Sequence, residues 1–158
     1  MSRWYEHKIP PPVIDLAIGV LMWVLARAVP SAQLWPVEPL SIATLAGLGV
    51  AFAGGLVALA GALEFNRART TVNPLAPHKA RALVTTGIYR FTRNPMYLGM
   101  LGVLAGWAVW LGNIAAWLGL PLSMALLTVL QIRPEERILA ERFGAEFERY
   151  AARVRRWL

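Results

Sequence analysis

The chain has 158 residues, 57% of them hydrophobic, no cysteine and a formal net charge of +7; its mean hydropathy is +0.48. That length sets one domain, 1–158, and the apolarity makes a membrane the expected solvent. Lack of cysteine excludes disulfides, thiolate nucleophiles and Cys-ligated zinc, and two distant histidines, His7 and His78, form no metal motif, so no metal is expected. The positive charge flanks apolar stretches rather than marking a soluble scaffold with groove-entering or base-stacking elements, so no nucleic-acid partner is expected. Contacts to the lipid bilayer account for it better.

The first apolar segment, 13–29, holds Asp15 and Arg27 near its two ends and is bounded by Pro10 to Pro12 and Pro30. It is expected to stay in the membrane as a first span, because no small-residue cleavage site follows it. Asp15 is expected to make a hydrogen bond at a helix interface. The second span, 40–63, is uncharged over 24 residues, enough to cross about 30 Å of hydrocarbon. Its small residues Gly47, Ala51 and Gly55, with Gly54 and Ala58 one residue out of step, predict close helix packing.

A polar segment, 64–94, separates this span from an uncharged stretch of 38 residues, Pro95 to Ile132. Gly112-Asn113 splits that stretch into a hairpin of two spans, 95–111 and 114–132. The 16 Lys and Arg lie before the first span, between the second and third, and after the fourth; Arg27 alone falls elsewhere. The positive-inside rule places both termini and the 64–94 loop in the cytoplasm, as a multi-pass protein of a prokaryotic cytoplasmic membrane. Beyond Arg133, Leu139, Phe143, Phe147, Tyr150, Val154 and Trp157 recur at steps of 4, 4, 3, 4 and 3 and predict one amphipathic helix, 134–157. The predicted fold class is all-α: a bundle of four transmembrane helices with a C-terminal amphipathic cytoplasmic helix.

Two constellations carry possible chemistry. Asn94-Pro95 has the composition of a cap and first residue of the third helix, which would aim unpaired N–H groups and a positive dipole end at the interface beside Arg90 and Arg93. Arg133-Pro-Glu-Glu136 has the composition of another helix start, with carboxylates suited to a cation. Each also has a purely structural explanation, as a cap with positive-inside arginines and as dipole compensation. The hairpin brings the two together, although Asn94 and Glu135 are 41 residues apart. An anion-binding helix start facing a carboxylate pair, with aromatic rings beside it, suits a small zwitterion with a cationic centre such as a sulfonium.

Leu83, Val84, Gly87 and Tyr89, then Arg93, Asn94, Pro95, Tyr97 and Gly99, then Glu135, Glu136, Leu139, Phe143, Gly144, Phe147 and Tyr150 carry a further signal. In order and spacing they resemble the isoprenylcysteine carboxyl methyltransferase and phospholipid methyltransferase family of integral membrane methyltransferases. The resemblance implies S-adenosylmethionine as cofactor, bound by Arg93, Asn94, Pro95, Tyr97, Leu98 and Gly99 on one side and by Glu135 and Glu136 on the other, with Thr86 and Gly87 shaping the wall. It implies a lipophilic or lipid methyl acceptor, with Glu136, Tyr89 and Arg133 as catalytic candidates. Asn94 stands where the family usually has histidine, and Gln131 where the carboxyl methyltransferase branch has arginine. A non-catalytic protein binding anionic lipid headgroups is the competing expectation, and nothing fixes the oligomeric state.

Overall fold

The computed structural model describes residues 9–68 and 82–158. His7, His78 and the basic residues Arg3, Lys8, Arg69, Lys79 and Arg81 lie outside the described residues, as does much of the loop expected at 64–94. Among the described residues the regular structure is helical: α1 (Pro11–Ala28), α2 (Ile42–Arg67), α3 (Pro95–Leu111), α4 (Gly119–Leu127), α5 (Arg133–Phe143) and α6 (Ala145–Arg153). Among the described residues three helical runs are long and apolar enough to cross a membrane, namely α1, α2 and the continuous run Ile114–Phe143; α3 is apolar but has 17 residues.

Each start has a local cause. Pro11 sits in the first turn of α1, where a missing N–H costs no hydrogen bond. The Ser41 hydroxyl accepts the Thr44 N–H at 3.1 Å and caps α2. Ile14, Ile18, Met22 and Ala26 form the buried stripe of α1, and Asp15 beside them accepts the hydroxyl of buried Ser123 of α4 at 2.5 Å.

Antiparallel α2 and α3 form the most extensive helix pair. Their seam is made of Gly47, Ala51, Gly54, Ala58 and Gly61 against Gly99, Gly102 and Gly106. The α2 spacing of 4, 3, 4 and 3 is a heptad seam, and it allows near contact of two backbones. A Cβ on Gly54 would lie 2.6 Å from the Gly99 carbonyl oxygen. Gly55, expected in this stripe, instead points away, with nothing within 4 Å of where its Cβ would be.

The turn after α3 is pinned from several sides. Gly112 takes the left-handed conformation at φ 60° that ends the helix. Asn113, fully buried, accepts the Ala115 N–H at 2.9 Å and donates to the Val29 carbonyl at 2.8 Å. Leu34 and Trp35 of the α1–α2 connection donate to the Gly112 and Val109 carbonyls.

Two expectations about the second half are corrected. Pro134 does not start a helix: the chain stays helical through Ile132 and Arg133, and a π-helical stretch, Thr128–Ile132, precedes α5. Proline lacks an N–H and its ring crowds the carbonyl four residues back, and the wider turn accommodates both defects. The expected single helix 134–157 is two helices. Gly144, at φ 48°, separates α5 from α6, and the chain is extended after Arg153.

Candidate active site

One end of the bundle carries a pocket of about 90 Å³ whose walls come from several elements. Phe65 closes it from the last turn of α2, and Tyr89 from a short 3-10 turn, Gly87–Arg90. Arg93, Asn94 and Tyr97 enter from the start of α3, Glu135 and Glu136 from α5, and Phe147 and Tyr150 from α6. Helical spacing explains the α5 wall, since Glu135, Glu136 and Leu139 share one side of a turn.

The two carboxyl groups are in different electrostatic settings. Glu136 accepts from Arg93 Nη2 at 2.7 Å and from Arg156 Nη2 and Nε at 2.6 and 3.1 Å. Both of its carboxylate oxygens are thus engaged by guanidinium groups. Glu135 accepts one short hydrogen bond, 2.5 Å, from the Tyr97 hydroxyl. α5 carries six charged residues in eleven and lies beyond the apolar stretch that ends at Ile132. Burial pushes Glu135 up to about 8; the Tyr97 bond opposes that rise and the Glu136 charge adds to it.

Tyr89 is buried, packs edge-to-face on Phe65 with ring centroids 5.4 Å apart, and accepts the Tyr150 hydroxyl on its carbonyl at 2.8 Å. Burial, then the neighbouring Tyr150, Glu135 and Glu64, hold its phenol well above the ordinary range, so it stays a proton donor. Arg93 also donates Nη1 to the Ala151 carbonyl at 2.9 Å, while its Nε is buried without a partner.

Of the residues singled out in the sequence, Tyr89, Arg93, Asn94, Tyr97, Glu135 and Glu136 meet at this pocket. Leu83, Val84, Leu139, Phe147 and Tyr150 line it as well, whereas Arg133, Gly99, Pro95, Leu98, Thr86 and Gly87 do not. Arg133 is exposed. Gly99 is buried in the α2 seam, where a Cβ would meet Gly54 and Ala58, so its lack of a side chain serves helix packing. Pro95 and Leu98 form part of the first turns of α3, and Thr86 and Gly87 lie against Glu64, with the Thr86 hydroxyl donating to that carboxylate at 2.8 Å. Asn94 precedes α3 but its side chain does not cap it; Nδ2 donates instead to the Arg156 carbonyl at 2.9 Å. Gln131 is buried and donates to the Ile9 carbonyl at 2.7 Å.

Sequence reasoning missed Glu64, Phe65 and Arg156. Glu64 ties the Thr86–Gly87 turn to α2 and also accepts from Arg67 at 2.5 Å. Its signal was a lone carboxylate closing an otherwise apolar helix. Arg156 lies in the extended segment 154–158, where Arg155 and Arg156 present carbonyls to the Arg93 N–H and the Asn94 amide.

Among the described residues, helices alone as regular structure, three membrane-length apolar runs and a pocket with charged residues at the ends of α2, α3 and α5 define a helical membrane protein. The sequence profile of the phospholipid methyltransferase family matches residues 42–146, and the chain belongs to that family. It is similar to an uncharacterized protein of Haemophilus influenzae, 46% identical over 63 residues that cover 40% of this chain and all of that one. It is also similar to the protein-S-isoprenylcysteine O-methyltransferase of Schizosaccharomyces pombe, 34% identical over 77 residues, 49% of this chain and 33% of the yeast protein. No solved structure matches the chain.

Proposed function

We propose that the protein is an S-adenosylmethionine-dependent membrane methyltransferase acting on a lipophilic acceptor. The observation that carries this reading is the meeting, in one pocket, of a carboxyl at Glu135 with Arg93 at the start of α3. When bound, S-adenosylmethionine supplies an electrophilic methyl group on a sulfonium. Glu135 and the rings of Tyr89 and Tyr97 suit that cation, while Arg93, with its unpartnered buried Nε, and the first N–H groups of α3 suit the cofactor's carboxylate. The donor set fits the group; the cavity of about 90 Å³ is below the roughly 300 Å³ of small-molecule clefts, so binding goes with widening.

The chain's own contribution is alignment and exclusion of water. Tyr97 orients Glu135 through its hydroxyl. Glu136 holds Arg93 and Arg156 together, which fixes Arg93 at the pocket wall and makes Glu136 a positioning residue. An acceptor that is already anionic needs no base; an amine or alcohol acceptor would lose its proton to Glu135, the carboxyl not held by guanidinium. The whole chain, 1–158, is proposed to act as one domain crossing a prokaryotic cytoplasmic membrane four times, α3 included, with both termini and the pocket on the cytoplasmic side. The acceptor reaches the site from the bilayer.

Calorimetric titration of the detergent-purified chain with S-adenosylhomocysteine tests the cofactor, and transfer of a radiolabelled methyl group into a membrane lipid extract tests the reaction. Binding in the wild type and its loss in Arg93→Ala support the proposal. No binding and no transfer by folded protein would overturn it.

A further inference from the structure

Away from this pocket, α1 and α3 leave between them an open groove of about 680 Å³. Its walls are apolar, from Leu16, Val20 and Trp23 on α1 and Met100, Val103 and Trp107 on α3, and much of this surface faces outward into the bilayer. None of these residues lines the Glu135 pocket. The volume falls within the roughly 300–1,000 Å³ of small-molecule sites.

One polar group interrupts the apolar lining. Asp15 is only 9% exposed; its Oδ1 is taken by Ser123 at 2.5 Å, and its Oδ2 is buried without any hydrogen-bond partner. The other polar lining atom, Trp107 Nε1, is already used, donating to the Gly19 carbonyl at 3.0 Å. A carboxyl oxygen buried at the wall of this groove without a partner is costly, and an ionisable residue within a membrane span is a candidate functional site by default.

We infer that this groove binds a single-chain amphiphile bearing an ammonium head, with its nitrogen donating to Asp15 Oδ2 and its hydrocarbon chain lying along α1 and α3 toward Trp23 and Trp107. Hydrocarbon alone leaves the Oδ2 atom bare, and a fatty acid adds a like charge. An alcohol supplies a donor without compensating charge, whereas an ammonium supplies both in a low-dielectric setting. The site is separate from the methyl-transfer pocket and does not depend on that activity.

The test uses the full chain in phosphatidylcholine nanodiscs and three nitroxide-labelled stearyl chains that differ only in the head: amine, alcohol and carboxylic acid. Quenching of tryptophan emission reports occupancy beside Trp23 and Trp107. The amine is expected to quench at about tenfold lower mole fraction than the acid or the alcohol. Asp15→Asn, which keeps a hydrogen bond to Ser123 available, should bring the amine to the level of the alcohol. Gly19→Leu, whose added Cβ meets only Leu104 at 3.7 Å, fills the groove one helical turn from Asp15 and should remove the quenching by all three. Equal quenching by the amine and either other chain in the wild type overturns the inference. So does an amine preference that survives Asp15→Asn, or quenching unchanged in Gly19→Leu.

Discussion

Glu135 and Glu136 are neighbours with different partners: Glu135 accepts from the Tyr97 hydroxyl, Glu136 from the guanidinium groups of Arg93 and Arg156. Glu135 binds its proton more tightly in the folded protein, at about 8, than the ordinary 4.5. Its contribution to stability is therefore complete below the ordinary value, declines as pH rises, and is gone once pH passes about 8. Thermal unfolding in detergent should show a midpoint that falls between about pH 5 and 8, with a flatter profile in Glu135→Gln. The same ionisation should raise affinity for S-adenosylmethionine relative to neutral-sulfur S-adenosylhomocysteine several-fold across that interval, read by calorimetry at successive pH values. Glu136→Ala has a different signature: Arg93 and Arg156 are left facing each other, and stability falls by about 2 kcal/mol, between the values for surface and for buried pairs. Both carboxylates were legible in the sequence as a pair. Their different partners were not, because Arg156 reaches Glu136 across 20 residues and the extended segment after α6 follows no helical period. Asn94 shows the same limit: its composition suggested a cap, but a carbonyl 62 residues away takes its amide.

At the scale of elements, the glycine seam sets the positions of the ends of α2 and α3 that frame the pocket. Gly54→Leu drives a side chain into the α3 backbone, and destabilisation of about 3 kcal/mol or more is expected from chemical unfolding in detergent. Gly55→Ala, one residue along, meets no atom within 4 Å and should be neutral or stabilising by up to about 1 kcal/mol. Small-residue spacing in the sequence pointed to such a seam, but not to which of Gly54 and Gly55 belongs to it, since both lie in an apolar stretch without a polar face to fix the rotation. Two other features were hidden for identifiable reasons. A π turn leaves no mark in composition, so Pro134 had the look of a helix start. Gly144 bends the chain without interrupting the apolar stripe from Phe143 to Phe147, so periodicity ran straight through the break.

For the whole molecule, hydropathy made the helical membrane character plain, because long uncharged stretches have few alternatives to helix in hydrocarbon. Orientation is the proposal most easily checked, since the chain has no cysteine to remove. Exposed Glu38 and Arg90 lie at opposite ends of α2 and the α2–α3 connection. In right-side-out cells, a membrane-impermeant maleimide should label Glu38→Cys and leave Arg90→Cys unlabelled until the membrane is opened. The reverse pattern would place the pocket outside and remove the cytoplasmic cofactor supply on which the proposed reaction depends.

Backbone-to-backbone contact has a mechanical consequence. Where two helices touch through glycine there are no rotamers to adjust, so α2 and α3 move as a single rigid body, and Phe65, Arg93 and Tyr97 move with it. The degrees of freedom that widen the pocket then belong to the facing wall. There the backbone torsions at Gly144, with open space around its Cβ position, join α6 to the rest.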